Sequence, residues 1–226
     1  MMKSDKIPCT SIIFDCDGVI FDSNQLKIEA FRKTLSVYPA DVVEAFILYH
    51  IQNAGISRYV KFRAFIVDFL GITFVKEEYE ELLDNFGRKC RELYLQASLT
   101  PGSSSVLKKL SDTVPLYVAS GSDELELNDV FKQRQLHNYF VKVLGSPKTK
   151  SECVLEALKD IGSSKNVVMI GDARSDWLAA QEVGISFIYM SRFSENHGVM
   201  TELSKKHGFC EIETLEQLKD ILDFKD

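Results

Sequence analysis

Hydrophobic positions along this chain change rhythm twice. After a short polar lead, Ser11-Ile12-Ile13-Phe14 is a compact apolar run, read as a buried strand, and it stops abruptly at Asp15-Cys16-Asp17-Gly18. From about residue 22 to residue 97 the apolar positions fall at three- and four-residue steps instead. Tyr79, Leu82, Leu83, Phe86, Cys90, Leu93, Tyr94 and Ala97 form one continuous stripe, the pattern of an amphipathic helix. Residues 24–37, 41–52 and 57–70 carry noisier versions of it, with breaks at Pro39 and Gly55.

From Pro101 onward short apolar runs alternate with helical patterns. Strands are expected over residues 116–119, 141–144, 167–170 and 186–189, the last of these being read as the final core strand. Helices are expected over 123–135, 151–161, 174–183, 199–206 and 215–222. Continuous apolar strands separated by helices imply a mainly parallel sheet covered on both faces. The expected fold is therefore α/β, a Rossmann-like three-layer core with an inserted α-helical cap. Residues 1–21 and 98–226 would build the core and residues 22–97 the cap.

In such sheets ligands bind beyond the carboxyl ends of the strands, and four of the expected strands end in polar groups suited to phosphate chemistry. They run into Asp15-x-Asp17, Ser120-Gly121-Ser122, Gly145-Ser-Pro-Lys148-Thr-Lys150 and Gly171-Asp172-Ala-Arg-Ser-Asp176. Taken singly these are ordinary: a turn, a helix cap, a solvated lysine. Together, in one sheet, they make a site. Asp15 and Asp17 lie two apart, on one side of a strand terminus, and repel unless a cation or proton intervenes. Asp172 would add a third acid. Clustered oxygen ligands suit a hard divalent ion, and Mg²⁺ best fits phosphate work. Asp15 can act as nucleophile, and Asp17 as acid and then base. Ser120 and the amides near Gly121 can bind phosphoryl oxygens, and a lysine of the third loop can balance the charge.

The 226 residues are 45% hydrophobic and 27% charged, enough for a real core. A net charge of −6 and the lack of a basic run argue against nucleic-acid or membrane-surface binding. Five scattered cysteines form no C-x-x-C pair. Residues 1–10 lack the apolar centre of a signal peptide, and no run approaches the roughly 20 residues that span a bilayer. A cytoplasmic protein, monomeric or homodimeric, acting on a small phosphorylated metabolite is expected.

The four motifs closely resemble those of the haloacid dehalogenase superfamily, in particular its phosphoglycolate-phosphatase-like and β-phosphoglucomutase-like members with a helical cap. The resemblance implies a phosphatase working through a phosphoaspartate on Asp15. It further implies that Asp15, the backbone carbonyl of Asp17 and Asp172 hold Mg²⁺, with Asp176 assisting. The third motif departs from the usual Lys-Pro-x-Pro-Asp. Counting back from Leu155 selects Lys148, proximity to the helix start selects Lys150; Lys148 is preferred and the choice stays open.

The stretch Asn53-Ala-Gly-Ile-Ser-Arg58 looks similar to a specificity loop of the mutase-like caps, which makes Arg58 a candidate for a second anionic group or a sugar hydroxyl, with Lys61 one turn on. Such mutases tend to carry a histidine about a dozen residues past the nucleophile; Lys27 in that region favours hydrolysis over a phosphomutase. Asp17 speaks against a dehalogenase, and the full set of acids against a catalytically silent binding module. Asp22 and Ser23 are read as caps of the first cap helix. All four histidines are read as structural or exposed, Cys16 as pointing into the core, Trp177 as sheet packing, and Arg192-Phe193 as a possible border of the site.

Overall fold

The computed structural model describes residues 6–224; the outermost ends of the expected core, residues 1–5 and 225–226, lie outside them. In chain order the elements are β1 (Ile7–Cys9), β2 (Ser11–Phe14), α1 (Asn24–Thr34), α2 (Ala40–Gln52), α3 (Arg58–Ala64), α4 (Lys76–Gln96), α5 (Ser103–Ser111) and β3 (Leu116–Asp123). They continue through α6 (Glu124–Gln133), β4 (Lys142–Ser146), α7 (Lys150–Ile161), β5 (Val167–Gly171), α8 (Arg174–Val183) and β6 (Ser186–Met190). The chain closes with α9 (His197–His207), β7 (Cys210–Ile212), α10 (Leu218–Ile221) and β8 (Leu222–Phe224).

Six strands form one parallel sheet in the order β4-β3-β2-β5-β6-β7. Alternation along β2 explains the layering. Ile12 and Phe14 face a cluster that includes Leu107 of α5 and Leu127 of α6, whereas Ile13 faces Val154 of α7 and Ala180 of α8. Helices thus cover both faces, as the continuous apolar strands required. The chain builds β3 and β4 on one side of β2, then crosses to β5 on the other, so the carboxyl end of β2 stands at the turning point of the topology.

Two expectations fail at the edges. Strand β6 is not the last core strand, because Cys210–Ile212 adds a sixth at its side. Residues 215–222 are not one helix: a 3₁₀ turn (Leu215–Gln217) leads into the short α10, and Leu222 already belongs to β8, which pairs in parallel with β1. These strands are three residues long, too short to display a period. Helix α5 had no expected counterpart either.

Helices α1 to α4 pack around their own aromatic centre. Phe31 stacks on Phe86 with ring centroids 4.0 Å apart and meets Phe46 and Phe62 at 5.4 Å. The apolar stripe of residues 79–97 is one side of this centre, with Leu82, Phe86, Cys90 and Tyr94 buried along α4. Helix α3 continues into a π turn over Phe65–Phe69, where the amide of Leu70 donates to the carbonyl of Phe65. Among the described residues no helix is long and apolar enough to cross a membrane.

Phe31→Ala removes a ring that meets Phe46, Phe62, Phe86 and His50. The expected loss is about 3–5 kcal/mol of stability, read from urea unfolding followed by circular dichroism.

Candidate active site

The carboxyl ends of β2, β3 and β5 and the start of α7 converge beneath the helical segment. Asp15 follows β2 directly, and its amide donates to the carbonyl of Ile170 on β5, which fixes its place at the rim. Lys150 opens α7. Thr149 caps this helix through a reciprocal box with Glu152, and that cap aims the first helical residue at the sheet. The Lys150 Nζ lies 2.8 Å from Asp15 Oδ1 and also bonds Asp176 Oδ1, and all three side chains are buried.

Asp176 has a second task. Its Oδ2 accepts from the amides of Asp172 and Ala173 at 3.1 and 2.9 Å, folding the β5–α8 loop so that Asp172 faces Asp15. Asn24 Nδ2 donates to Asp172 Oδ2 at 2.7 Å. Gly18 lies against this pair in the left-handed region (φ +73°), and a Cβ there would stand 2.3 Å from Asp172 Oδ2. The site tolerates only glycine at that point.

Carboxylate oxygens of Asp15, Asp172 and Asp176 lie within 4.8 Å of one another. Three acids against one ammonium leave an excess of negative charge in a buried place. Burial, then repulsion from Asp176, push the Asp15 carboxyl up to about 7 despite Lys150. Burial and the charges of Asp15 and Asp176 push Asp172 well above the usual carboxylate range. Asp15 Oδ1 has no aligned hydrogen-bond donor, although Lys150 is near. A crowded set of buried carboxylate oxygens, charged in excess of the one ammonium beside it, fits a hard divalent cation such as Mg²⁺.

Asp17 stands apart from this cluster. Ser23 Oγ and Tyr94 OH donate to its Oδ1 at 2.6 and 2.7 Å, while Lys27 Nζ lies 2.5 Å from Oδ2 and Ser122 Oγ 3.3 Å. Burial alone would raise this carboxyl, but Lys27 and the three hydrogen bonds from Lys27, Ser23 and Tyr94 outweigh it and hold the group below its ordinary value. Ser23 therefore serves Asp17 and makes no side-chain cap on α1, contrary to expectation.

Ser120 is fully buried, and its Oγ accepts from the amide of Ser122 at 3.1 Å. Gly121 lies against the loop between α2 and α3: a Cβ on it would stand 2.2 Å from the carbonyl oxygen of Gly55. Ser175 Oγ holds the same loop through the carbonyl of Ala54 at 2.9 Å, and Asn196 Nδ2 holds the last turn of α2 before it through the carbonyl of Ile51 at 2.6 Å. A narrow cavity remains between this loop and the acids, lined among others by Asp15, Asp17, Gly121, Ser122, Arg58 and Lys61.

Of the two lysines left open in the third motif, the structure brings Lys150 to Asp15 and not the preferred Lys148. Lys148 is ion-paired with Glu124 and Glu156 at 2.7 and 2.8 Å, on the outer side of α7; only Lys150 reaches Asp15. Arg58 lines the cavity but is already neutralised, its guanidinium bidentate to Glu126 at 2.9 and 2.7 Å and lying over the Phe86 ring. His50, read as structural or exposed, is half-buried, lines the cavity and contacts Lys61. Arg192 and Phe193 do not supply a side chain to the site; the Phe193 carbonyl instead accepts from Asn24. Cys16 and Trp177 are buried as expected, in the core and against α8's side of the sheet.

As groups at the site, Tyr94, Asn24 and His50 are not marked by the sequence. Tyr94 sits in the apolar stripe of α4, and nothing in a helical period tells a buried hydroxyl from a buried ring. Asn24 and Lys27, three apart on α1, share a face, which was the one usable sign.

Comparison with known proteins agrees with this geometry. The family model described as haloacid dehalogenase-like hydrolase matches residues 12–190. A "Phosphorylated carbohydrates phosphatase" of Thermotoga maritima is 26% identical over 202 residues, covering 83% of this chain and 88% of that protein. A haloacid dehalogenase-like family hydrolase from Streptococcus pneumoniae superposes with a TM-score of 0.68 at 23% identity, over 93% of this chain and 97% of that one. A protein described as a predicted phosphoglycolate phosphatase from Haemophilus somnus does so with a TM-score of 0.75 at 16% identity, over 94% and 97%. Both structural likenesses show a shared fold.

The raised carboxyls set the pH response of the metal-free protein. Between the ordinary aspartate range and about pH 7 the folded chain holds more protons at Asp15 and Asp172 than the unfolded chain. Stability from these groups therefore falls as pH rises through that window. Thermal unfolding with EDTA should show the decline, and added Mg²⁺ should raise Tm more at about pH 8 than at about pH 6, where protons compete for the same oxygens.

Proposed function

The chain belongs to the haloacid dehalogenase-like hydrolases and is a phosphatase of that family, and we propose that it hydrolyses a small phosphomonoester through a phosphoryl-aspartate on Asp15. The class of substrate meant is a phosphosugar or another small phosphorylated metabolite. The observation that carries this reading is the buried trio of Asp15, Asp172 and Asp176 gathered around Lys150 at the rim of the sheet. In the same reading residues 22–97 are a cap over a core made of residues 1–21 and 98–226.

Asp15 attacks phosphorus, the bond to the substrate's ester oxygen breaks, and the departing alkoxide takes a proton from Asp17. A water then attacks the phosphoryl-aspartate, Asp17 takes its proton, and phosphate leaves with Asp15 restored. Lys150 screens the phosphoryl group from the acids around it, and the amides near Gly121 with the hydroxyl of Ser120 bind its oxygens. Asp15, Asp172 and the main-chain carbonyl of Asp17 would hold Mg²⁺, with Asp176 assisting. When bound, the ion neutralises charge on the nucleophile and the phosphoryl group.

Asp17 is held ionised by Lys27 in the arrangement described, which suits the base step. The acid step requires its carboxyl to leave Lys27 and Tyr94 and carry a proton toward Asp15. Those partners stand on α1 and α4, so motion of the cap helices and readiness of the acid are linked. Lys27, in the region where mutase-like relatives would carry a histidine, is itself engaged by Asp17 and Ser122; hydrolysis remains the favoured outcome over phosphoryl return.

Asp15→Asn should abolish turnover of an aryl phosphate with Mg²⁺ while leaving the circular dichroism spectrum unchanged, because little volume changes. Near-normal activity in that variant would remove the covalent route. Asp17→Asn should slow alkyl phosphates far more than aryl phosphates, whose leaving groups need little proton help. Equal losses on the two, measured as kcat/KM, would take the acid role away from Asp17.

A further inference from the structure

The cap cations on the cavity wall are not equivalent. Arg58 is answered by Glu126, and Lys27 by Asp17. Lys61 is not. It is only 2% exposed, lines the cavity, and among the described residues forms no ion pair; its Nζ contacts Nδ1 of His50 at 2.8 Å. Glu195 also borders the cavity, but Gln25 Nε2 donates to it at 2.8 Å.

A buried ammonium without a counter-ion is an unbalanced arrangement. Burial, then the charge of Lys27, push Lys61 well below its ordinary value, with Lys150 acting the same way and Asp17 opposing. Burial, Lys61 and Lys27 likewise push His50 down. The pair faces the cavity from α3 and α2, with Lys27 on α1 and with Asp17 and Lys150 from the core nearby. An anion entering here would restore the lost charge and gain charge-assisted hydrogen bonds.

We propose that Lys61 and His50 form a second anion site within the substrate cavity, so that the preferred substrate is a small phosphomonoester bearing a further carboxylate or phosphate. This rests on the assignment of Asp15 and its neighbours to the scissile phosphate. It moves the role expected of Arg58 to its neighbour one turn on, because Glu126 has already claimed the arginine. A phosphosugar with hydroxyls alone would leave Lys61 unmatched.

Two substrate pairs separate the sources of the second charge: 3-phosphoglycerate against glycerol 3-phosphate for a carboxylate, and fructose 1,6-bisphosphate against fructose 6-phosphate for a phosphate. In at least one pair the wild type should favour the doubly anionic member in kcat/KM by about tenfold or more, the worth of a hydrogen bond to a charged group. That ratio should fall toward one in Lys61→Met and be partly kept in Lys61→Arg. Equal kcat/KM within both pairs, or a ratio untouched by Lys61→Met, overturns the site. Lys61→Gln replaces the methionine variant should that one fail to fold.

If the wild type turns over none of the four, the aryl-phosphate assay tests the phosphatase assignment separately, and binding decides the anion site. Calorimetry in two buffers of different ionisation enthalpy should then show proton uptake when 3-phosphoglycerate or fructose 1,6-bisphosphate binds wild type, and clearly less with Lys61→Met. Binding without that uptake, or no binding, removes the site.

Discussion

A single ammonium group organises the rim of this protein. Lys150 stands between Asp15 and Asp176 in a place from which water is excluded, and without it three aspartates would face one another uncompensated. Buried charge is tolerated only where geometry provides partners. That requirement fixes much else: the capping box that aims the first residue of α7, the loop folded onto Asp176, and the glycine at position 18 that lets Asp172 approach. The charge balance is still incomplete after Lys150, and that incompleteness suits the cluster to the cation and phosphoryl group proposed for it.

The second level of organisation joins the helical segment to the sheet through polar contacts beside apolar ones, Phe21 meeting Tyr94 of α4 and Phe131 of α6 at 5.5 and 5.8 Å. Asp17 leaves the rim to meet Lys27 and Tyr94, Asn24 reaches Asp172, Ser175 holds the loop that carries Gly55, and Asn196 holds the last turn of α2 before it. Hydrogen bonds of this kind can be exchanged for water or ligand at small net cost, whereas the aromatic centre among α1 to α4 cannot. The same division explains why the charged residues of the wall differ in purpose. Those in ion pairs shape the cavity, and Lys61, which meets His50 and forms no ion pair among the described residues, is in the proposed reading available to what enters it.

Much of the architecture was legible in residue order. The change from a period of about 3.6 to continuous apolar runs marked where helices stop and the alternating α/β region begins, and the polar strand ends named Asp15, Asp172 and Asp176 before any geometry was known. Periodicity reports burial averaged over several residues, so it found the long elements and lost the three-residue strands β1, β7 and β8. It also could not rank the third loop. Lys148 and Lys150 differ by two positions, and the helix start between them turns one outward to Glu124 and Glu156 and the other inward to Asp15.

By itself, then, the sequence determined the class of fold, the strand termini that carry acids, and the family to which those termini point, because these follow from local pattern and from motif spacing. Tertiary structure alone decided which cation meets which acid: Lys150 with Asp15, Arg58 with Glu126, Lys27 with Asp17, and Lys61 with none among the described residues. Pairing energy depends on distance and on exclusion of water, and both are set by elements far apart in the chain closing on one another.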